Sequence, residues 1–338
     1  MALIRSTTYP GLFSPPTAGQ PQGAFKNRTT PTSADGSYLE QQWANDWSGF
    51  FSALLDSAGI TPDGSVDEVG ASQYFDSLIQ VIANSKAAYP SGYISGGVPS
   101  NAADADHDVT ISPVSCRDST DTLNIDLLSS ITKRLDATFA AGDNNGGRFS
   151  GVALSPNTTY HVFSINNGSS VDVGFDTSIT AANKPAGYDS FRRICSIVTD
   201  SGSNIRRFNA KESACGLYIS YLSRITDYAS TSPGTTRQNV PLSVPIGLSV
   251  DVRLNVFLGS NGDTGTYISE TTWDDISPSV GNADISSWTA AQERSHIEIN
   301  RNTDVSGQIT RRSSANNGSY LSPGLAIRTL GYTDSRSN

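Results

Sequence analysis

Acidic residues supply the first candidates for chemistry. Asp104-x-Asp106-x-Asp108 opens like a calcium loop, in which alternating carboxylates converge on one hard cation. Counted from Asp104, Val109 falls where the loop's sharp turn needs glycine and Ser115 where a bidentate Glu closes the shell, so the spacing predicts a solvated turn. His107, His161 and His296 are widely separated, with no His or Cys three to five residues away, and no metal site is expected. Covalent catalysis fares no better. The strained Gly-x-Ser-x-Gly turn is absent, since Gly92-Tyr93-Ile94-Ser95-Gly96 places its serine one position late. Cys195 follows Arg192 and Arg193, whose charge could lower a thiol pKa, but its apolar, strand-like setting predicts a packed thiol. No Walker loop or Gly-x-Gly-x-x-Gly segment occurs, so no cofactor is expected.

Two groupings suit carbohydrate better. Asp274-Asp275 beside Trp273 joins a ring that can stack on a sugar to acids that can hold its hydroxyls, but neighbouring acids on a strand would point to opposite faces, which makes a poor catalytic pair and favours a surface turn. The doublets Arg192-Arg193, Arg206-Arg207 and Arg311-Arg312 could fork onto anionic sugars, but they read first as strand residues paired with the chain's surplus acid. Glycoside hydrolysis needs only two carboxylates and no local motif, so 32 acids permit it without selecting a pair. Catalytic residues are therefore expected to be none.

The whole composition narrows the elements that must carry these groups. The chain has 338 residues, with Lys+Arg 23 against Asp+Glu 32, a net charge of -9 that argues against nucleic acid as partner. Only 16% of residues are charged while Gly reaches 30, which favours short strands and polar turns. There is no run of 18 apolar residues and no apolar stretch of a secretion signal at Met1–Arg5, so a soluble chain without membrane insertion is expected. Cys116, Cys195 and Cys215 are odd in number and irregularly spaced, which predicts reduced thiols.

Residues 1–36 hold Pro10, Pro15, Pro16, Pro21 and Pro31, which predicts an extended arm with Leu12, Phe13 and Phe25 as anchors. From Ser37 to Gly59, Leu39, Trp43, Trp47, Phe50, Phe51, Leu54 and Leu55 recur at helical spacing, with Ser37 and Glu40 as a capping box. After Thr61-Pro62-Asp63-Gly64 a second helix is expected over about Val66–Lys86, its apolar side formed by Val69, Phe75, Leu78, Ile79 and Ile82. Residues 37–88 then form a helical hairpin. Its aromatic stripe is too large for a two-helix interior, so Trp43, Trp47, Phe50, Phe51, Leu54 and Leu55 are expected at an oligomer or attachment interface, with packing on the following domain as the alternative.

The Gly/Pro/Ser stretch 89–104 has the composition of a linker, and 105–338 reads as a β-rich body with a possible division near 230–240. Its clearest strand alternates Val250, Val252, Leu254, Val256 and Leu258 with other residues. Noisier runs fall at Gly151–Leu154, Thr159–Ile165, Ser170–Phe175, Phe191–Thr199, Leu217–Ile225, Ser295–Ile299 and Leu325–Leu330, between turn signals such as Asn144-Asn145-Gly146-Gly147. A helical period persists only around Ser129–Ala140. The fold class is mainly β, a β-sandwich or jelly-roll-like body preceded by an extended arm and a helical hairpin.

Three body segments, Ala140–Gly151, Pro156–Ile165 and Lys184–Ile194, in that order resemble a stretch of tail proteins from tailed bacteriophages. Ile327–Arg336 is similar to the terminal strand and turn of the same family, and Ala58–Ser65 to the inter-helix turn of phage fibre amino-terminal segments. Cys195 stands where a glycine is usual, and Ser337-Asn338 replaces a more basic ending. The resemblance implies a non-enzymatic virion structural protein of the tail, a tail fibre or baseplate-associated component assembled in the host bacterial cytoplasm. It implies a homotrimer that contacts other tail or baseplate proteins and displays its β body toward a host cell-surface glycan or protein. Polar loops near Tyr267, Trp273, Trp288 and Tyr320 are the expected receptor contacts, because aromatics give contact area at small entropic cost. The competing expectations are a glycan-degrading tailspike and an internal connector or decoration protein.

Overall fold

A computed structural model describes residues 5–17, 24–37, 41–68, 70–85, 89–260, 262–287, 293–314 and 320–336. The chain divides into two compact units, Met1–Ala87 and Ala88–Asn338.

The first unit holds α1 (Arg5–Thr8), β1 (Phe13–Ser14), β2 (Ala24–Phe25), α2 (Gln41–Ala58) and α3 (Gln73–Ser85). The arm folds on itself: β1 pairs antiparallel with β2, and buried Phe13 meets Phe25 edge-on at 5.2 Å. Ser37 holds this arrangement together, its Oγ donating to the Leu12 carbonyl (2.6 Å) and accepting from the Lys26 N–H (3.0 Å). Its hydroxyl is thus engaged by the arm, and Glu40 of the expected capping box lies outside the described residues. α2 ends as its sequence predicts. Gly59 takes φ +68°, its N–H bonds Asp56, and the Ile60 N–H reaches back to Leu55, the Schellman pattern that satisfies the last carbonyls.

α3 begins at Gln73, later than the expected Val66. Asp67 accepts from the Gln73 N–H and the Ser72 hydroxyl, and Asp63 accepts from the Ser65 N–H, local bonds that compete with helix. Ser72 then caps α3 by accepting from the Phe75 N–H at 3.0 Å. The hairpin closes through Phe51 and Tyr74, whose rings lie 4.6 Å apart, with Leu55 buried and Phe51 and Leu54 half-buried. Trp47 and Phe50 remain exposed, as do Phe75, Leu78, Ile79 and Ile82 of α3. The apolar side of α3 therefore does not supply its buried contact; among the residues of α3 whose burial is described, Ser77 is the fully buried one. The side chain of Trp43, and Val69 and Lys86, lie outside the described residues.

The second unit is built of strands. The first are β3 (Ile94–Gly96), β4 (Pro99–Asn101), β5 (Asp108–Ile111), β6 (Val114–Arg117), β7 (Asn124–Leu127), β8 (Ile131–Thr138) and β9 (Asn145–Arg148). Then follow β10 (Thr159–Asn166), β11 (Val171–Asp176), β12 (Ser190–Val198), β13 (Phe208–Ser213), β14 (Gly216–Ser230) and β15 (Gln238–Pro241). The last are β16 (Asp251–Ser260), β17 (Thr264–Ser269), β18 (Ile285–Ser287), β19 (Glu293–Asn302), β20 (Gln308–Ser313) and β21 (Tyr320–Asp334). The main sheets have the orders β12-β10-β11-β9-β8-β5-β4 and β13-β14-β21-β16-β19, accompanied by β15-β20-β17-β18 and β3-β6-β7. The protein is mainly β with a sandwich-like body.

Three boundaries differ from expectation. The stretch 89–104 carries β3 and β4, paired with β6 and β5, so its Gly and Pro residues punctuate strands of the body and do not separate domains. Within 129–140 the chain forms β8, Ile131–Thr138, in which Ile131, Lys133 and Leu135 are buried at period two, so the expected helical period gives way to a strand. Near 230–240 there is a loop between β14 and β15, not a division, because β15 pairs with β20 of the same unit. Gly151–Leu154 contains no strand.

The strongest alternation is realised in β16, whose Val252, Leu254, Val256 and Leu258 enter the core. Its other face is also partly covered, with Phe257 against His296 at 5.0 Å and beneath Arg328 at 5.7 Å. β10 and β12 are buried on both faces, as strands between two layers must be. Polar links join the main sheets inside the core. Tyr332 donates to the Ser196 carbonyl (2.6 Å), and Arg193 forks onto Asp334 at 2.6 and 2.9 Å.

Candidate ligand cleft

A cleft of about 440 Å³ opens beside β15, β17 and β20, within the usual range for small-molecule sites. The loop after β17, residues 270–276, forms one wall, and Arg237 holds it in place. Its guanidinium donates to the carbonyls of Trp273 (2.6 Å), Glu270 (2.8 Å) and Thr271 (3.2 Å). Three bonds from one planar fork fix a loop that has no strand pairing of its own. Trp273 is 48% exposed, and the Arg301 guanidinium lies 5.2 Å from its ring centre. Arg301 is itself set by Asp284 (2.8 Å) and the Ile268 carbonyl (2.7 Å). Tyr267, on the same lining, donates to Asn282.

The cleft's charges are largely committed. Arg311 donates to the Pro233 carbonyl and Gln238 and covers the Tyr228 ring at 4.2 Å. Arg312 bonds the Thr235 carbonyl (3.0 Å) and pairs with Asp275 (3.0 Å). Asp284 accepts from Arg301 and from the Ile268 N–H (2.7 Å). Asp274 is different: among the described residues its carboxylate has no hydrogen-bond or ion-pair partner, nor has the Trp273 indole N–H an acceptor. The site thus offers an exposed indole, one uncommitted carboxylate, and guanidinium groups already engaged.

Of the expected receptor residues, the fold brings Tyr267 and Trp273 together in this cleft. Trp288 and the side chain of Tyr320 lie outside the described residues. The Asp274-Asp275 pair lies in a loop rather than a strand, so the opposite-face argument does not apply. Arg237, Asp284 and Arg301 escaped the sequence reading, since each is a lone charge whose role depends on pairing between distant strands.

The other sequence candidates serve the scaffold. Asp104 accepts from the Asp106 N–H (3.1 Å) and faces His107 at 3.2 Å, a turn in which the carboxylate closes the loop. Among the described residues, no group of three or more His, Cys, Asp or Glu side chains is placed to hold a metal. Cys116 and Cys195 are buried and Cys215 is exposed, all three unbridged; burial pushes both buried thiols up to about 12. Arg192 bonds the carbonyls of Gly92 (3.2 Å) and Arg336 (3.3 Å), while Arg207 forms an exposed pair with Asp106 at 3.1 Å.

No family model matches the sequence, and no curated protein matches it. Three solved chains match, and one of them serves for comparison. It is a chain from "Crystal structure of the T13 IBDV viral particle reveals a missing link in icosahedral viruses evolution", 10% identical, with 71% of this chain and 68% of that chain covered at a TM-score of 0.16. At that score the likeness carries no argument about fold or function.

Proposed function

We propose that this chain is a non-enzymatic structural protein of a tailed-bacteriophage tail, a fibre or baseplate-associated component that displays its β body for attachment to the host. One observation carries the assembly half of this reading, the apolar surface left open on α2 and α3. Phe50 and Phe75 are 62% and 61% exposed, and Leu78 and Ile79 accompany Phe75 on α3. Covering what remains open of each such side chain is worth about 1–2 kcal/mol, so several of them on each of several copies can offset the cost of association. The expected cover is further copies of this chain, in a homotrimer, together with neighbouring tail proteins.

Solution mass tests the proposal. At micromolar concentration the chain should run as an assembly of three 35.7 kDa subunits, and Phe50→Ser with Phe75→Ser should dissociate it without changing the β body's unfolding transition. A stable monomer, indifferent to both changes, overturns the assembly reading. Antiserum to residues 105–338 should block particle adsorption; adsorption that continues unchanged would favour an internal connector. Hydrolysis is disfavoured by the cleft's carboxylates. Asp275 and Asp284 are ion-paired, whereas a glycosidase needs two acids free to exchange protons or attack. Reducing-end release from host polysaccharide would reverse that judgement.

A further inference from the structure

We infer that the cleft between the 270–276 loop and β20 binds a neutral saccharide of the host surface. The inference deepens the attachment reading and rests on it for the origin of the ligand; the ligand's class follows from the cleft itself.

Three features converge on a sugar. First, Trp273 leaves about half its surface open at the cleft while Arg237 fixes its main chain and Arg301 lies against its ring. A fixed, exposed indole offers a flat apolar platform to the C–H face of a pyranose at little conformational cost. Second, Asp274 lies next to that platform with both carboxylate oxygens uncommitted among the described residues. An ionised carboxylate only accepts, so it matches two adjacent hydroxyls, each of which can donate. The indole N–H adds a donor for a ring or hydroxyl oxygen. Third, the lining is stiff: Ile268 of β17 is fully buried beneath it, and β17 is hydrogen-bonded on both sides, to β18 and β20.

Charge then selects among sugars. Arg237, Arg311 and Arg312 would suggest a grip on sialic or uronic acids if judged by composition. Each is already engaged: Arg237 by three carbonyls, Arg311 by a carbonyl and Gln238, and Arg312 by Asp275 and a carbonyl. Bonds to carbonyls leave the charges of Arg237 and Arg311 in place, but they occupy the N–H groups that would fork onto a carboxylate, so a sugar carboxylate beside Trp273 would face Asp274 with no open bidentate guanidinium to hold it. Neutral hexoses and N-acetylhexosamines avoid this repulsion while retaining the stacking face and the vicinal hydroxyls.

The test is saturation-transfer NMR with the purified full-length chain. The probes are neutral di- and trisaccharides ending in glucose, galactose, mannose, N-acetylglucosamine or N-acetylgalactosamine, with lactose and sialyllactose as a matched neutral and acidic pair. At least one neutral probe should bind, with affinity on the order of millimolar as expected for a small ligand in a half-open site. Trp273→Ala and, separately, the near-isosteric Asp274→Asn should each weaken it at least tenfold while circular dichroism and the unfolding midpoint stay unchanged. If none of the neutral probes binds, if binding survives both substitutions, or if sialyllactose binds as tightly as a binding lactose, the inference is overturned. Those results leave the attachment reading standing when antiserum to the body still blocks adsorption. Binding at Trp273 together with unblocked adsorption upholds the cleft and removes its proposed host setting.

Discussion

Arg193 and Asp334 form a bidentate ion pair with both side chains almost entirely out of water. Asp334 also accepts from the Arg336 N–H at 2.9 Å. Removing one partner from such a pair leaves a buried charge uncompensated, so Asp334→Asn should cost about 3–5 kcal/mol in urea unfolding. The double change Arg193→Met with Asp334→Leu should recover much of that loss, because the desolvation penalty disappears with the charges. Next to this pair lies His161, buried, with Nδ1 2.8 Å from the Ser196 hydroxyl. Burial first, and then the Arg193 charge, push the ring down from 6.5 to about 4. It stays neutral in the fold while the unfolded chain takes up a proton below pH 6.5, so stability present above 6.5 falls as the pH drops and levels off below about 4. At about 1.4 kcal/mol per unit the loss approaches 3 kcal/mol, and His161→Gln should remove that slope from urea midpoints measured at pH 7 and pH 4.5. Half-buried Asp227, whose carboxyl desolvation pushes up, contributes in the opposite sense in both proteins and cancels in the comparison.

At the scale of elements, the strands that alternate or run continuously apolar were legible from spacing alone, as β16, β10 and β12 show. β9 was not. Its Asn-Gly-Gly-Arg segment reads as a turn, and Asn144 does turn, with φ +58°. Gly146 and Gly147 are instead squeezed between β8 and β11, where a Cβ on Gly146 would lie 2.0 Å from the Thr138 carbonyl oxygen. Local sequence cannot distinguish a glycine chosen for a turn from one chosen for close backbone approach. Gly146→Ala should therefore destabilise the body by about 1–3 kcal/mol in urea unfolding, because the obstructing atom is backbone and cannot swing aside. The start of α3 was hidden for a related reason, since the Asp and Ser side chains of 63–72 bond the main chain before the helix begins. Ser72→Ala removes the acceptor for the Phe75 N–H and should cost about 1 kcal/mol, read as lost helical circular dichroism on heating. The cleft was half legible: the Trp-Asp-Asp string stands out in one dimension, whereas Arg237 and Arg301 become partners only through sheet pairing.

On the scale of the whole molecule, the two units differ in how much apolar surface they bury for themselves. Among the described residues, the buried hydrophobic side chains of the first unit are Phe13 and Leu55, while one continuous cluster from Val109 to Tyr332 forms the core of the second. A unit that buries so little has a small hydrophobic driving force against the entropy of ordering its chain, whereas the β body has a sizeable one. Residues 88–338 alone should therefore unfold cooperatively, at the midpoint the body shows in the full chain, and should remain monomeric in a sedimentation experiment. Residues 1–87 alone should gain helical signal with rising protein concentration, because their order depends on covering Phe50, Phe75 and Ile79 by other copies. Concentration-independent, cooperative folding of that fragment as a monomer would show that its exposed face is stable in water, leaving self-association without a driving force.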